Sequence, residues 1–157
     1  MDKEEAIPVI TGLAVGIGFV FLFSITFGHQ LAISTVPTLP EAQAMEIVKE
    51  DLKHKTGNVT LTVYLQNGRV PLLYYRLEDN IALRINETSH EIMSSCVPSI
   101  ECFLPNNIDL LRSIGGRLVY FIDGIYSGVG TSAPTFYYVD AATGDILWSY
   151  IGENANP

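Results

Sequence analysis

Charged side chains are scarce in this sequence, at 17% of its 157 residues, whereas soluble domains carry roughly 25%. The shortage is concentrated near the amino terminus, because no charged residue occurs between Ile7 and Phe27. As an α-helix, a run of this length would rise about 31 Å, which matches the roughly 30 Å hydrocarbon core of a bilayer. We therefore predict a transmembrane helix at residues 7–31.

Two other kinds of apolar segment fit this run less well. A cleaved signal peptide has an apolar core of about 7–15 residues after a basic start. Here the start, MDKEE, is net acidic, and the exit, FGHQLAIST, has no small-x-small cleavage site. A buried core helix of this length without one charge would be unusual in so small a domain. The span length favours a membrane anchor that is retained.

Basic residues are also sparse around the span, which decides the predicted orientation. Lys3 precedes it, and the next Lys or Arg is Lys49. Because positive residues stay on the cytoplasmic side, residues 1–6 are predicted to be cytoplasmic. Residues 32–40 then form a linker, and residues 41–157 form a domain outside the plasma membrane.

Two short patterns agree with an exterior location. Asn58 and Asn86 each begin an Asn-x-Thr sequence, which is the acceptor pattern for N-glycosylation. Only two cysteines are present, Cys96 and Cys102, and they lie six positions apart. Such spacing is typical of a local disulfide in an oxidising compartment, although two unrelated thiols remain an alternative.

Signals for chemistry are missing. The three histidines are scattered without ligand spacing, two cysteines do not make a zinc site, and no nucleophile-elbow pattern occurs. After the span, 8 basic and 14 acidic side chains give a balance of −6, which repels the phosphates of nucleic acids. We expect no catalytic residues, no cofactor, no metal, no enzyme activity and no nucleic-acid partner.

The exterior part is predicted to be α+β, with one main helix packed on an antiparallel sheet. A helix is predicted from Pro40 to Thr56, because Met45, Val48 and Leu52 form one apolar stripe. Thr38 and Glu41 fit a capping box at its start.

Strands are predicted around Asn58–Gln66 and Arg69–Leu77, joined as a hairpin by the turn Asn67-Gly68. A third strand is predicted at Ile81–Ile85, and residues 86–116 are predicted to be a loop region with a short helix. A strand at Arg117–Ile122 is predicted to end at Asp123-Gly124.

The acidic turn from Asp140 to Asp145 lies between two aromatic-rich runs near the end of the chain. The position where a calcium loop needs its second oxygen ligand is Ala142, so a calcium site is not indicated. A type I turn explains the residues, with the Asp140 side chain bonding nearby amides and Gly144 at positive φ. We interpret this turn as structural.

The two ends of the exterior part resemble a PepSY-type domain. That family opens with a helix of the kind xxEAxxIAxxxL and closes with a strand like VDAxTGEIL. Here PEAQAMEIVKEDL and YYVDAATGDILWSY match both ends in order. The resemblance implies a helix on an antiparallel sheet, no catalytic residues, and binding or restraint of peptidases, or service as an accessory module of membrane proteins.

Together these features predict a membrane-anchored, non-enzymatic domain that binds or regulates a protein partner outside the cell, with a peptidase as one candidate. The alternative is a single-span accessory subunit of a membrane enzyme complex. Gly12 and Gly16 form a small-xxx-small pair within the span. Such a face lets a second transmembrane helix approach closely, so we expect association at this face.

Overall fold

The computed structural model describes residues 36–57, 59–128 and 131–152. The predicted cytoplasmic segment 1–6, the predicted membrane helix 7–31 with Gly12 and Gly16, and the sequon residue Asn58 lie outside the described residues. Within the described part of the chain, no helix is both long and apolar enough to cross a membrane. The described residues from Pro37 onward belong to one compact unit.

The described residues of this unit form two α-helices, one short 3₁₀ helix and seven strands. In chain order they are α1 (Glu41–Thr56), β1 (Thr60–Val63), β2 (Leu72–Arg76), β3 (Ile81–Ile85), β4 (Ile92–Cys96), the 3₁₀ helix (Ile100–Cys102), α2 (Ile108–Ile114), β5 (Leu118–Gly128), β6 (Thr131–Asp140) and β7 (Ile146–Ile151).

All strand pairs in the described sheet are antiparallel, in the order β4-β3-β2-β5-β6-β7, with β1 also paired to β5. Helix α1 packs on one face of this sheet, which we call the helix face. The prediction of an α+β fold with one main helix on an antiparallel sheet is therefore confirmed. The opposite face, which we call the groove face, carries α2 and the 3₁₀ helix.

Helix α1 is held on the sheet by an apolar stripe and by a tyrosine hydroxyl. Ala44, Val48 and Leu52 are fully buried, whereas Met45 is only partly buried. The predicted stripe was therefore right at two positions, and its third residue is the smaller Ala44. Tyr137, on β6, donates a hydrogen bond of 2.7 Å to the Asp51 carboxylate of α1.

The start of α1 is bound by a distant carboxylate. The predicted capping box is wrong, because Pro40 occupies the N-cap and no side chain caps the helix locally. The backbone N–H of Glu41 donates instead to Glu87 Oε1 at 3.3 Å, and the Tyr120 hydroxyl donates to the same oxygen at 3.1 Å. The Glu41 carboxylate is engaged elsewhere, since it accepts from the backbone N–H of Val70 at 3.1 Å.

The Asn67-Gly68 turn forms, but the predicted hairpin is wrong. Both residues have positive φ, and they close a single bridge between Gln66 and Arg69. The strands on either side do not pair with each other: β1 pairs with residues 124–127 of β5, and β2 pairs with residues 118–120. The two strands therefore follow one another along the same edge of β5, with the exposed residues 65–69 projecting between them.

Residues 86–116, which were predicted to be a loop region with a short helix, contribute the elements that pack on the groove face. They contain β4 and the 3₁₀ helix as well as the predicted short helix. Leu110, Leu111 and Ile114 of α2 are buried against the sheet. Cys96, at the end of β4, forms a disulfide with Cys102 in the 3₁₀ helix, across a Cα–Cα distance of 6.3 Å. The predicted disulfide is thus present. It fastens residues 97–114, which contain the 3₁₀ helix and α2 and which we call the covering segment, to the edge strand β4.

The turn Asp140–Asp145 packs against the start of the domain. Asp140 Oδ1 accepts from the backbone N–H groups of Ala142 at 2.9 Å and Thr143 at 3.1 Å. The backbone N–H of Leu39 donates to the Ala141 carbonyl oxygen at 2.7 Å. Gly144 has φ +82°, as a turn of this kind requires. The turn therefore binds the segment that leads into α1.

Strand β5 is longer than predicted. It continues through Asp123-Gly124 to Gly128, where the sequence indicated an end after Ile122. Gly124 lies beside β1 so closely that a Cβ atom there would approach the Thr62 carbonyl oxygen to 2.5 Å. The glycine thus permits a close strand contact rather than a turn. The continuation places Asp123 inside the sheet, facing the groove side.

Candidate functional site

An open aromatic groove lies on the groove face of the sheet, beside the covering segment that packs on the rest of this face. Its volume is about 330 Å³, which falls at the lower end of the roughly 300–1,000 Å³ of ligand sites. Five strand residues form its floor and one side, and three residues of the covering segment form the other side. The aromatic groove is lined by Ile100, Phe103, Pro105, Phe121, Asp123, Phe136, Tyr138 and Trp148.

The strands bring these side chains together because every second residue of a strand faces the same side. Phe121 and Asp123 are alternate residues of β5, and Phe136 and Tyr138 are alternate residues of β6. The register pairs Phe121 with Tyr138 and Asp123 with Phe136. Trp148 follows on β7, opposite Tyr138. Three neighbouring strands thus contribute one continuous surface.

The rings of this surface are in mutual contact. Phe121 lies 5.0 Å from Tyr138 and 6.2 Å from Phe136, measured between ring centroids. Trp148 meets Tyr138 edge-on at 5.9 Å, and Tyr150 stacks on Phe136 at 5.9 Å. Such pairs favour fixed relative orientations. The groove is therefore a preformed aromatic surface rather than a set of independent side chains.

The covering segment is locked in place beside the groove. Tyr138, almost fully buried, donates its hydroxyl to the carbonyl oxygen of Phe103. Burial raises the pKa of the Tyr138 hydroxyl well above its usual range, and the nearby Asp123 carboxylate adds to this. The hydroxyl therefore stays protonated and remains a donor. The position of Phe103 follows from this contact and from the nearby disulfide.

Apolar side chains around the groove are exposed to solvent to an unusual degree. Ile100, on its rim, is 86% exposed, and Tyr150, which extends the aromatic surface, is 47% exposed. Single exposed apolar residues need no explanation, but a contiguous apolar patch is typical of an interaction site. The exposed residues here adjoin a concave aromatic surface, so they form such a patch.

Among the residues that the structure describes, Asp123 is the one charged residue that lines the aromatic groove. Within the described part of the chain, no group donates a hydrogen bond to its carboxylate, and no Lys or Arg lies within ion-pair distance. Burial among apolar side chains raises the pKa of this carboxyl group above its usual value. A carboxyl group for which no described residue is a hydrogen-bond or ion-pair partner thus lies among aromatic rings.

Strand β7 forms one edge of the described sheet. Its hydrogen-bonded neighbour is β6, and no described strand pairs with its other side. Open strand edges present unpaired backbone N–H and C=O groups, which can accept an added strand. Because Trp148 and Tyr150 belong to β7, this edge adjoins the aromatic groove.

A second polar cluster, at the start of α1, has a structural role. The Tyr120 hydroxyl has two acceptors within hydrogen-bond distance, the Leu39 carbonyl oxygen at 3.0 Å and Glu87 Oε1 at 3.1 Å, and its single hydrogen is shared between them. Burial, followed by the negative charge of Glu87, raises the pKa of Tyr120 well above its usual range. These hydrogen bonds hold the start of α1 against the sheet.

The residues singled out from the sequence lie apart from the groove or at its margin. Cys96 and Cys102 fasten the covering segment. Asn86 begins the turn between β3 and β4, where its Oδ1 accepts from the N–H groups of Thr88 at 2.9 Å and Ser89 at 3.0 Å. Its glycosylation stays a prediction, as do the absence of enzyme activity and of cofactors. Across the described residues, no group of three or more His, Cys, Asp or Glu side chains could hold a metal.

Sequence reasoning missed the aromatic groove. The signal that could have found it is the alternation of aromatic residues in the last two strands, where Phe136 and Tyr138 precede Trp148 and Tyr150. Alternation indicates one shared face, but it does not say whether another element covers that face. No family model, curated protein or solved structure matches this chain.

Proposed function

We propose that this chain is a non-enzymatic binding domain, carried outside the cell on an N-terminal membrane anchor, which acts on a protein partner. The observation that carries the proposal is the aromatic groove. It is concave, preformed and apolar, and it opens to solvent on a face that is otherwise covered. Surfaces rich in Trp, Tyr and Phe supply much of the binding energy of protein interfaces.

The free edge of β7 suggests how the partner is bound. An extended segment can add to an open sheet edge through backbone hydrogen bonds, and its alternate side chains then reach one face of the sheet. Along β7, that face carries the aromatic groove. The backbone of the partner segment would provide affinity, and the groove would provide selectivity.

The exterior location and the anchor rest on the sequence. The uncharged run Ile7–Phe27 has the length of a membrane span, and the resemblance of both domain ends to the PepSY type supports binding or restraint of a protein such as a peptidase. Protease added to intact cells tests the topology. We expect digestion of the domain after residue 40 while the amino terminus is protected. Protection of the whole chain would contradict an exterior domain.

Site-specific photo-cross-linking in native membranes tests the binding surface. A photoreactive phenylalanine analogue replaces Tyr150 beside the groove or, as a matched control, Met93 on β4 at the opposite sheet edge, which is 60% exposed. We expect a cross-linked protein from position 150 that is absent from position 93. Equal products from both positions, or none from position 150, would refute binding at the groove.

The same experiment separates the proposal from a permanent accessory subunit. In that alternative, the chain co-purifies with membrane subunits through the face formed by Gly12 and Gly16, and variants in the groove leave the complex intact. In the proposed function, replacing Trp148 by Ala removes the cross-link at position 150.

A further inference from the structure

We infer that the aromatic groove selects a partner segment that carries an Arg or Lys side chain among apolar neighbours, and that Asp123 receives this cation. The inference rests on the proposed function and specifies the chemistry of the partner. Its basis is the juxtaposition of one carboxylate, which no described residue pairs, with five aromatic rings in a groove of about 330 Å³.

The groove residues match a cation in two ways. The faces of Trp, Tyr and Phe rings attract cations within about 6 Å of the ring centroid. The Asp123 carboxylate supplies the opposite charge, since Asp123 lies opposite Phe136 on β6 and two residues after Phe121 on β5. A cationic side chain with an aliphatic stem can bury the stem against the rings and place its charge at the carboxylate.

Other occupants fit less well. A purely apolar segment would cover Asp123 and leave a carboxylate buried without a partner, which is costly. An acidic segment would be repelled by Asp123 and by the exterior part as a whole, whose charge balance is −6 (8 basic against 14 acidic residues). A basic segment instead gives Asp123 the counter-charge that no described residue provides.

Synthetic peptides test this inference on the full chain in neutral lipid nanodiscs. The probes are acetyl-Gly-Val-Val-Arg-Val-Val-amide and the same peptide with citrulline, an uncharged isostere of Arg. The sequence contains one tryptophan, Trp148, so intrinsic tryptophan fluorescence reports directly on the groove. We expect the Arg peptide to bind about tenfold more tightly than the citrulline peptide, from charge pairing and ring contact.

Two variants locate the source of this preference. Asp123→Asn keeps the side-chain shape and should reduce the preference to less than about twofold, because the charge pair is lost. Glu50→Gln removes one negative charge from an exposed position on α1, on the other side of the sheet. It should leave the preference within about twofold of the unchanged protein, since exposed distant charges are screened by salt.

The possible results separate the two proposals. If both peptides bind with equal affinity, the groove binds segments as proposed but the inferred cation selectivity is wrong. If neither peptide changes the Trp148 fluorescence, both the peptide groove and the cation selectivity are refuted. Self-association of the chain that Asp123→Asn abolishes would overturn the assignment of the occupant to a separate partner protein.

Discussion

The contact between the Asp140–Asp145 turn and α1 can be tested at one glycine. Gly144 has φ +82°, and a Cβ atom at this position would approach Ile47 Cδ1 of α1 to 2.8 Å. Gly68 is a matched control, because it has φ +77° but no heavy atom within 4 Å of the same ideal Cβ position. Replacing each by Ala therefore adds the same backbone strain, and only Gly144→Ala adds a steric conflict.

The expected costs follow from these two terms. Ala at positive φ costs about 1–2 kcal/mol, and the stiffer unfolded chain offsets about 0.4–1 kcal/mol of it, so Gly68→Ala should lower the free energy of unfolding by about 1 kcal/mol. Overpacking adds about 1 kcal/mol at Gly144, the low end of its range, because Ile47 Cδ1 is the end of a flexible side chain. Gly144→Ala should therefore cost about 2 kcal/mol.

Urea unfolding of the full chain, followed by Trp148 fluorescence, measures both variants. The Ile47→Val change removes the Cδ1 atom, so combining it with Gly144→Ala should recover about 1 kcal/mol as a coupling energy. The same change combined with Gly68→Ala should give no coupling. Equal destabilisation by both glycine variants, or the absence of coupling to Ile47, would show that the turn does not press on α1.

Three further predictions concern the core, the groove and the span. Leu110→Ala should lower the free energy of unfolding in urea by about 2–5 kcal/mol, because Leu110 is fully buried in α2. Ile108 is 60% exposed in the same helix, so Ile108→Ala should change this free energy by less than about 0.5 kcal/mol. Similar costs for the two variants would mean that α2 is not part of the core. Because burial raises the folded-state pKa of Asp123, its carboxylate destabilises the fold as the pH rises above its ordinary pKa of 3.8. Asp123→Asn should therefore be more stable than the unchanged protein at pH 7, with the gain lost below that ordinary pKa, and a pH-independent difference in the two unfolding curves would contradict this. Replacing both Gly12 and Gly16 by Leu should reduce cross-linking to a neighbouring transmembrane helix without preventing membrane insertion, and unchanged cross-linking would make the glycines incidental.

Local signals in the sequence predicted the elements that local interactions specify. The stripe through Val48 and Leu52 identified α1, because helical spacing depends only on residues three and four apart. The turn at Asp140 was identified by side-chain bonds that span two or three residues. The cysteine pair was identified because its two members lie six positions apart. Each of these features is determined by residues that lie within a few positions of one another in the sequence.

The features that the sequence did not reveal depend on distant parts of the chain. The backbone N–H of Glu41, the first residue of α1, donates its hydrogen bond to the carboxylate of Glu87, which lies 46 residues further along the chain. Strand β5 continues past Asp123-Gly124 because β1 packs beside Gly124, which no pattern within β5 indicates. The aromatic groove requires three strands in register together with a covering segment that leaves part of their shared face open. Pairing between distant segments is the information that periodicity lacks.

The arrangement of β1 and β2 along β5 has a consequence for changes in chain length. In an ordinary hairpin, one inserted residue shifts the register of the two strands and turns side chains to the wrong face. Here each strand pairs with β5, so the exposed residues 65–69 can gain or lose residues while both strands keep their partners. Related chains of different length can therefore share this sheet, and an alignment should place its gaps around Asn67-Gly68. For protein engineers, this projection is the position where a tag or a binding loop can be inserted without disturbing the groove on the other strands.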